Sequence, residues 1–138
     1  MVCTPSGMTY APFPATGKGA YVIPDGVQTI HSGAFYNCYY LTGIQIPESV
    51  TNIGGHSFNA CARLKELIIP SQVRSIGYGA FAGCTNLKTL TFKGTRPPFI
   101  ADDVFPEIPT VYVPRVSLSR YESALEDAIP NAVIKTFD

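Results

Sequence analysis

The apolar positions of this chain return in blocks rather than at a single short period. Leu64, Leu67, Ile69, Val73, Ile76 and Phe81 form one series, and it appears 23 residues earlier as Leu41, Ile44, Ile46, Val50, Ile53 and Phe58. A third version runs through Ile23, Val27, Ile30 and Phe35. Cys38, Cys61 and Cys84 mark the same period, as do Pro24, Pro47 and Pro70. Within a block, Lys65 to Ile69 predicts a short strand that turns Leu67 and Ile69 inward, because side chains alternate across a pleat. Pro70 ends that strand, since proline cannot donate to a ladder. Val73 and Ile76 are three apart and predict a second short side with a bend or bulge. Gly77 and Gly79 supply corners, and residues 79–83 have room for one helical or 3₁₀ turn before Cys84 and Leu87 close the coil.

A fixed period in the range of about 20–29 residues, opening on L-x-x-L-x-L, signals a leucine-rich repeat solenoid. The expected fold is therefore an α/β leucine-rich repeat solenoid, rich in β structure. Short parallel strands line one face, short helical or 3₁₀ turns the other, and a helix caps the C-terminal end. The 138 residues make one domain. Residues 1–20 are expected to cap the N-terminal end, and 21–43, 44–66 and 67–89 are three regular coils. Residues 90–114 are a degenerate repeat with a final strand, and 115–138 the C-terminal cap. In the degenerate coil Lys93 replaces the proline and Thr95 to Pro98 replace the turn. Phe99 stands one period after Ile76, whereas Phe105 arrives one residue late. Val111 to Pro114 reads as a strand. Ser117 is placed to cap a helix from Leu118 to about Ile129, with Val116 and Tyr121 as a hydrophobic staple. Tyr121, Leu125 and Ala128 would form its apolar stripe, Pro130 would stop it, and Asn131 to Phe137 would add a last strand.

Composition narrows the function classes. Lys plus Arg and Asp plus Glu are 10 each, so no net field draws the chain to nucleic acid or anionic lipid. No apolar run approaches the roughly 20 residues that span a bilayer, which excludes membrane insertion by a helix. Pro5, Pro12 and Pro14 interrupt the first twenty residues, which do not read as a secretory signal. An extracellular placement would then require a signal or lipid anchor removed from the sequence.

Candidate chemistry is sparse. A straight column of Cys38, Cys61 and Cys84 points equivalent side chains the same way, which suits neither a disulfide nor a four-ligand zinc site. Buried free thiols acting as small hydrophobes are the expectation. His31 and His56 occupy places where other coils have glycine, so corner residues with positive φ are expected, facing solvent. Neither has a partner at catalytic or metal-ligand spacing, and no nucleotide, hydrolase or metalloprotease motif is found. The expectation is a protein that is not an enzyme and has no catalytic residue, metal or cofactor.

Three segments carry a resemblance to a known family: Ile46 to Gly54, Gly79 to Leu87, and Val111 to Pro114 followed by Ser117 and Tyr121. They resemble the BspA-like leucine-rich repeat family over roughly residues 20–125. The resemblance implies a surface or secreted protein of the adhesion type, whose partner is a protein such as a host extracellular-matrix or cell-surface protein. It brings no catalytic residues. From the pleat alone, the outward strand positions form a column of Val22, Gln45, Ile68, Thr91 and Tyr112, with Gly43, Glu66, Thr89 and Thr110 beside it. Outward Val, Ile and Tyr make this the candidate protein-binding face. Two other readings stand beside it. One is a structural spacer whose short edge stacks on a second copy. The other is a carbohydrate-binding domain using Tyr36, Tyr39, Tyr40 and Tyr78, a reading lowered by the absence of tryptophan.

Overall fold

Each 23-residue block closes one coil, and the coils stack so that equivalent residues pair. The computed structural model describes residues 2–3 and 19–138. Most of the expected N-terminal cap, residues 1 and 4–18, lies outside the described residues. In chain order the strands are β1 (Val2–Cys3), β2 (Gly19–Val22), β3 (Thr29–Ile30), β4 (Leu41–Gln45), β5 (Asn52–Ile53) and β6 (Glu66–Ile69). They continue as β7 (Ser75–Ile76), β8 (Thr89–Phe92), β9 (Phe99–Ile100) and β10 (Thr110–Pro114), then helix α1 (Leu118–Leu125) and β11 (Val133–Phe137).

Three walls enclose the core. The strand wall comprises β2 paired with β4, and β6, β8, β10 and β11 paired in that order, all parallel. A second wall stacks β3, β5, β7 and β9 in parallel, with β1 antiparallel to β3 at its end. The third is the turn side, where backbone hydrogen bonds alternate. Ser57, Asn59 and Cys61 donate three residues back to Gly54, His56 and Phe58, while His56, Phe58 and Ala60 donate across to Tyr78, Ala80 and Ala82. The short turns expected here are present but do not run on into helix. Positive φ at His56 (55°) and Ala60 (64°), matched by Gly79 (64°) and Gly83 (79°), swings every second N–H toward the next coil.

Inside, Phe35, Phe58, Phe81 and Phe105 form a parallel stack with centroids 5.0, 5.1 and 5.6 Å apart and ring planes within 6°. Phe92 meets Phe105 edge-on at 6.2 Å and Tyr121 at 5.0 Å, so aromatic contact reaches the cap. The inward residues Leu67, Ile69, Val73 and Ile76 are all buried. Full burial of one such side chain contributes about 1.5–3 kcal/mol.

The degenerate coil departs from expectation in register. Ser75 pairs with Phe99 and Ile76 with Ile100, so the extra residue enters before Phe99. Phe99 is consequently not a core residue but is 69% exposed, and Ile100 takes the inward place. The same shift puts Phe105 on the stack and brings buried Ile108 to the position of Cys84.

The cap differs in three details. The helix ends at Leu125 rather than near Ile129, preceded by a 3₁₀ turn over Arg115–Ser117. Ser117 makes no capping bond; its buried hydroxyl donates to the Thr95 carbonyl at 2.7 Å, tying cap to last coil. Val116 is 84% exposed, so it forms no staple. The last strand runs parallel to β10, with Val111 opposite Ile134 and Val113 opposite Thr136.

Coil spacing is set by glycine at one column. A Cβ at Gly77 would lie 2.5 Å from the Gly55 nitrogen, and one at Gly54 2.5 Å from the Ser32 nitrogen. Both contacts are with backbone, which cannot swing aside. Gly77→Ala is therefore expected to destabilise by about 1–3 kcal/mol through overpacking, measured as a lower urea midpoint. An unchanged midpoint would show that the coils can separate at no cost. His31 shares this column but lacks positive φ and is half-buried, so it is not a left-handed corner residue. His56 fits that description, with φ 55° and an exposed side chain.

Candidate interaction face

The outward strand positions fall into two groups rather than one column. Val22 pairs with Gln45, and Ala20 with Gly43. Ile68 pairs with Thr91 and Thr91 with Tyr112, while Glu66, Thr89 and Thr110 follow one another beside them. Between β4 and β6 the ladder stops, so Gln45 does not flank Ile68 across a hydrogen-bonded pair. The two neighbouring walls continue through these coils without a break.

A local difference accompanies the break. Asn86 donates its side-chain N–H to the Ala62 carbonyl at 2.8 Å, fastening the start of β8 to the start of β6. One coil earlier that place belongs to Arg63, which is exposed and makes no such bond. In the first coil the equivalent corner holds Tyr39 and Tyr40, with rings 4.2 Å apart and hydroxyls 2.8 Å apart. The start of β6 is thus left unfastened from the coil below.

Where the ladder is open, a groove of about 690 Å³ crosses the strand face. Its apolar lining includes Tyr21, Val22, Ile44 and Ile68, and its charged lining is Asp25, Glu48, Glu66 and Lys93. Val22 is 60% exposed and Ile68 49%, whereas Tyr21 and Ile44 are half-buried despite their inward register. Glu48 spends one carboxylate oxygen on the Ser71 N–H and hydroxyl, which orders the proline corner. Of the sequence-derived face, Val22, Gln45, Glu66 and Ile68 line this groove. Thr89, Thr91 and Tyr112 lie on the regular ladder beyond it, half-buried. The groove itself was invisible in the template, because Leu64, Leu67 and Ile69 match it fully; Arg63 in place of asparagine is the one local signal.

Tyr36, Tyr39 and Tyr40 belong to the first coil, whereas Tyr78 stands in the third, 5.3 Å from His56 and donating its hydroxyl to Asp103 at 3.1 Å. That carboxylate raises the Tyr78 pKa, chiefly through the hydrogen bond. Cys38, Cys61 and Cys84 are free thiols, as their column implies, but Cys38 at the first coil is half-buried rather than buried. Cys61 and Cys84 are buried and donate to the carbonyls of Phe35 and Phe58, both at 3.2 Å. Burial pushes the Cys84 thiol up to about 12 and raises Cys61 as well, so neither is a nucleophile near neutral pH. Among the described residues no group of three or more His, Cys, Asp or Glu is placed to hold a metal ion.

With this geometry in view, comparison with known proteins identifies the repeat. The profile of the BspA type leucine rich repeat region matches residues 17–110 in six copies. The chain belongs to that family. A comparison with curated proteins gives no match. Among solved structures, a leucine rich cell surface protein from Faecalibacterium prausnitzii is similar, with 26% identity and a TM-score of 0.68. The match covers 91% of this chain and 34% of that one, so this BspA-type repeat domain spans about a third of that protein. No helix among the described residues is long and apolar enough to cross a membrane.

Proposed function

We propose that this BspA-type domain is a protein-binding module of the adhesion type, displayed extracellularly or at a cell surface, that meets its partner through the strand face. The observation that carries the reading is the groove on that face, where Val22 and Ile68 present apolar surface beside polar strand positions. Contiguous exposed apolar surface with a polar rim is characteristic of interaction sites. A host extracellular-matrix or cell-surface protein is the partner class that the family suggests.

A binding screen of the folded domain against such proteins, with a glycan panel alongside, supplies the partner. Ile68→Lys is then expected to weaken binding at least about tenfold, equivalent to roughly 1.4 kcal/mol. Folding should be nearly unchanged, since surface substitutions usually fall within about 0.5 kcal/mol. Arg74→Glu, on the second wall, is the control and should do less. Loss of binding on Arg74→Glu but not on Ile68→Lys, in variants of matched Tm, would move the site off the strand face.

A further inference from the structure

Resting on that reading, we infer that the groove between β4 and β6 takes an extended segment of the partner that carries a basic side chain beside an apolar one. Two independent features of the groove support this occupant.

The first is charge. The chain is neutral overall, yet the groove lining gathers three carboxylates, Asp25, Glu48 and Glu66, against one ammonium, Lys93. All four residues are exposed. The hydrogen bonds from Ser71 engage one oxygen of Glu48 but leave its charge in place. A lysine or arginine entering here meets an excess of negative charge, while its apolar neighbour meets Val22 and Ile68. An acidic segment would be repelled by the same three groups.

The second is the backbone. The carbonyls of Lys65 and Ile69 accept hydrogen bonds from Lys88 and Lys93 on the β8 side. In a parallel ladder alternate residues bond to opposite neighbours, so the N–H and C=O groups of Glu66 and Ile68 point toward β4. No ladder receives them there. β4 and β6 stay too close to admit a whole strand between them, but these unpaired groups at the groove floor offer hydrogen-bond partners to a segment laid over it, with side-chain positions supplying selectivity.

The test uses the full chain with short fluorescein-labelled peptides in which leucine alternates with lysine, with glutamate or with serine. The leucine–lysine peptide is expected to bind, and to weaken as salt is raised from about 0.05 M to about 0.5 M. Amide shifts in NMR spectra should centre on Ile44, Glu66 and Ile68. Glu66→Lys should reduce its affinity at least about tenfold with Tm unchanged, while Arg74→Glu leaves it intact. Equal binding of the lysine and glutamate peptides, or binding insensitive to Glu66→Lys, would overturn the basic occupant. If the serine or glutamate peptide binds in the groove and is lost on Ile68→Lys, the strand face stands and only the occupant's chemistry falls. Peptide binding with amide shifts confined to another wall would sink both.

Discussion

Phe58→Ala is expected to destabilise the domain by about 3–5 kcal/mol, whereas Cys61→Ala costs roughly 1 kcal/mol. The two side chains are neighbours in one coil and both are fully buried, so burial alone does not separate them. Phe58 lies between Phe35 at 5.0 Å and Phe81 at 5.1 Å, stacked on both sides. Its removal opens a gap between two coils that the backbone bonds of Phe58 and Ala60 to Ala80 and Ala82 prevent from closing. In a solenoid each coil touches only its neighbours, so no third element can move in to fill the space. Cys61 leaves a smaller void and gives up one thiol bond to the Phe35 carbonyl. Urea denaturation of both variants checks this. Comparable midpoints would contradict the stack as the main tie between coils.

Removal of residues 117–138 is expected to make the domain aggregate. The cap covers the last coil by specific contacts. The Tyr121 hydroxyl donates to the Gly94 carbonyl at 2.7 Å, its ring packs on Phe92, and Ser117 holds Thr95. Burial has raised the Tyr121 pKa to about 12, so this phenol remains a donor at any physiological pH. Without the cap, β10 loses β11 and presents an unpaired edge, a template for pairing with other chains. Phe92 would be uncovered at the same time. Size-exclusion chromatography of the truncated chain is the measurement. A soluble monomer with unchanged Tm would show that the last coil protects itself.

The repeat made the core legible. Leu67, Ile69, Val73, Ile76 and Phe81 occupy the inward places that their spacing implies, because a period enforced by stacking leaves each column one environment. The prolines and the thiol column were readable for the same reason. What escaped the pattern lies where the period breaks or where coils touch. Phe99 and Ile100 are consecutive apolar residues, and either suits an inward column; only the register at Ser75 decides between them. Ser117 carries the residue type of a helix cap, yet the carbonyl of Thr95 stands within reach and accepts the hydrogen bond from its hydroxyl. Val116 has the spacing of a staple but faces outward. The opening between β4 and β6 depends on a contact missing between coils. A template written for single coils has no symbol for that. The groove that crosses the candidate face, and the charge that lines it, therefore left no mark on the repeat pattern.

The 24-residue step from Ile76 to Ile100 has a consequence for how this chain can change in length. One extra residue enters near Pro97 and Pro98, yet Ile100 and Phe105 return to their columns and the aromatic stack continues. The corners between walls thus act as slack, taking up an insertion before it reaches the next rung. An insertion inside β6 or β8 has no such outlet, because a shift of one residue there would turn Leu67 or Leu90 to solvent. Sites for grafting loops or tags onto this scaffold are accordingly the proline corners, and the rungs between them are the part to leave alone.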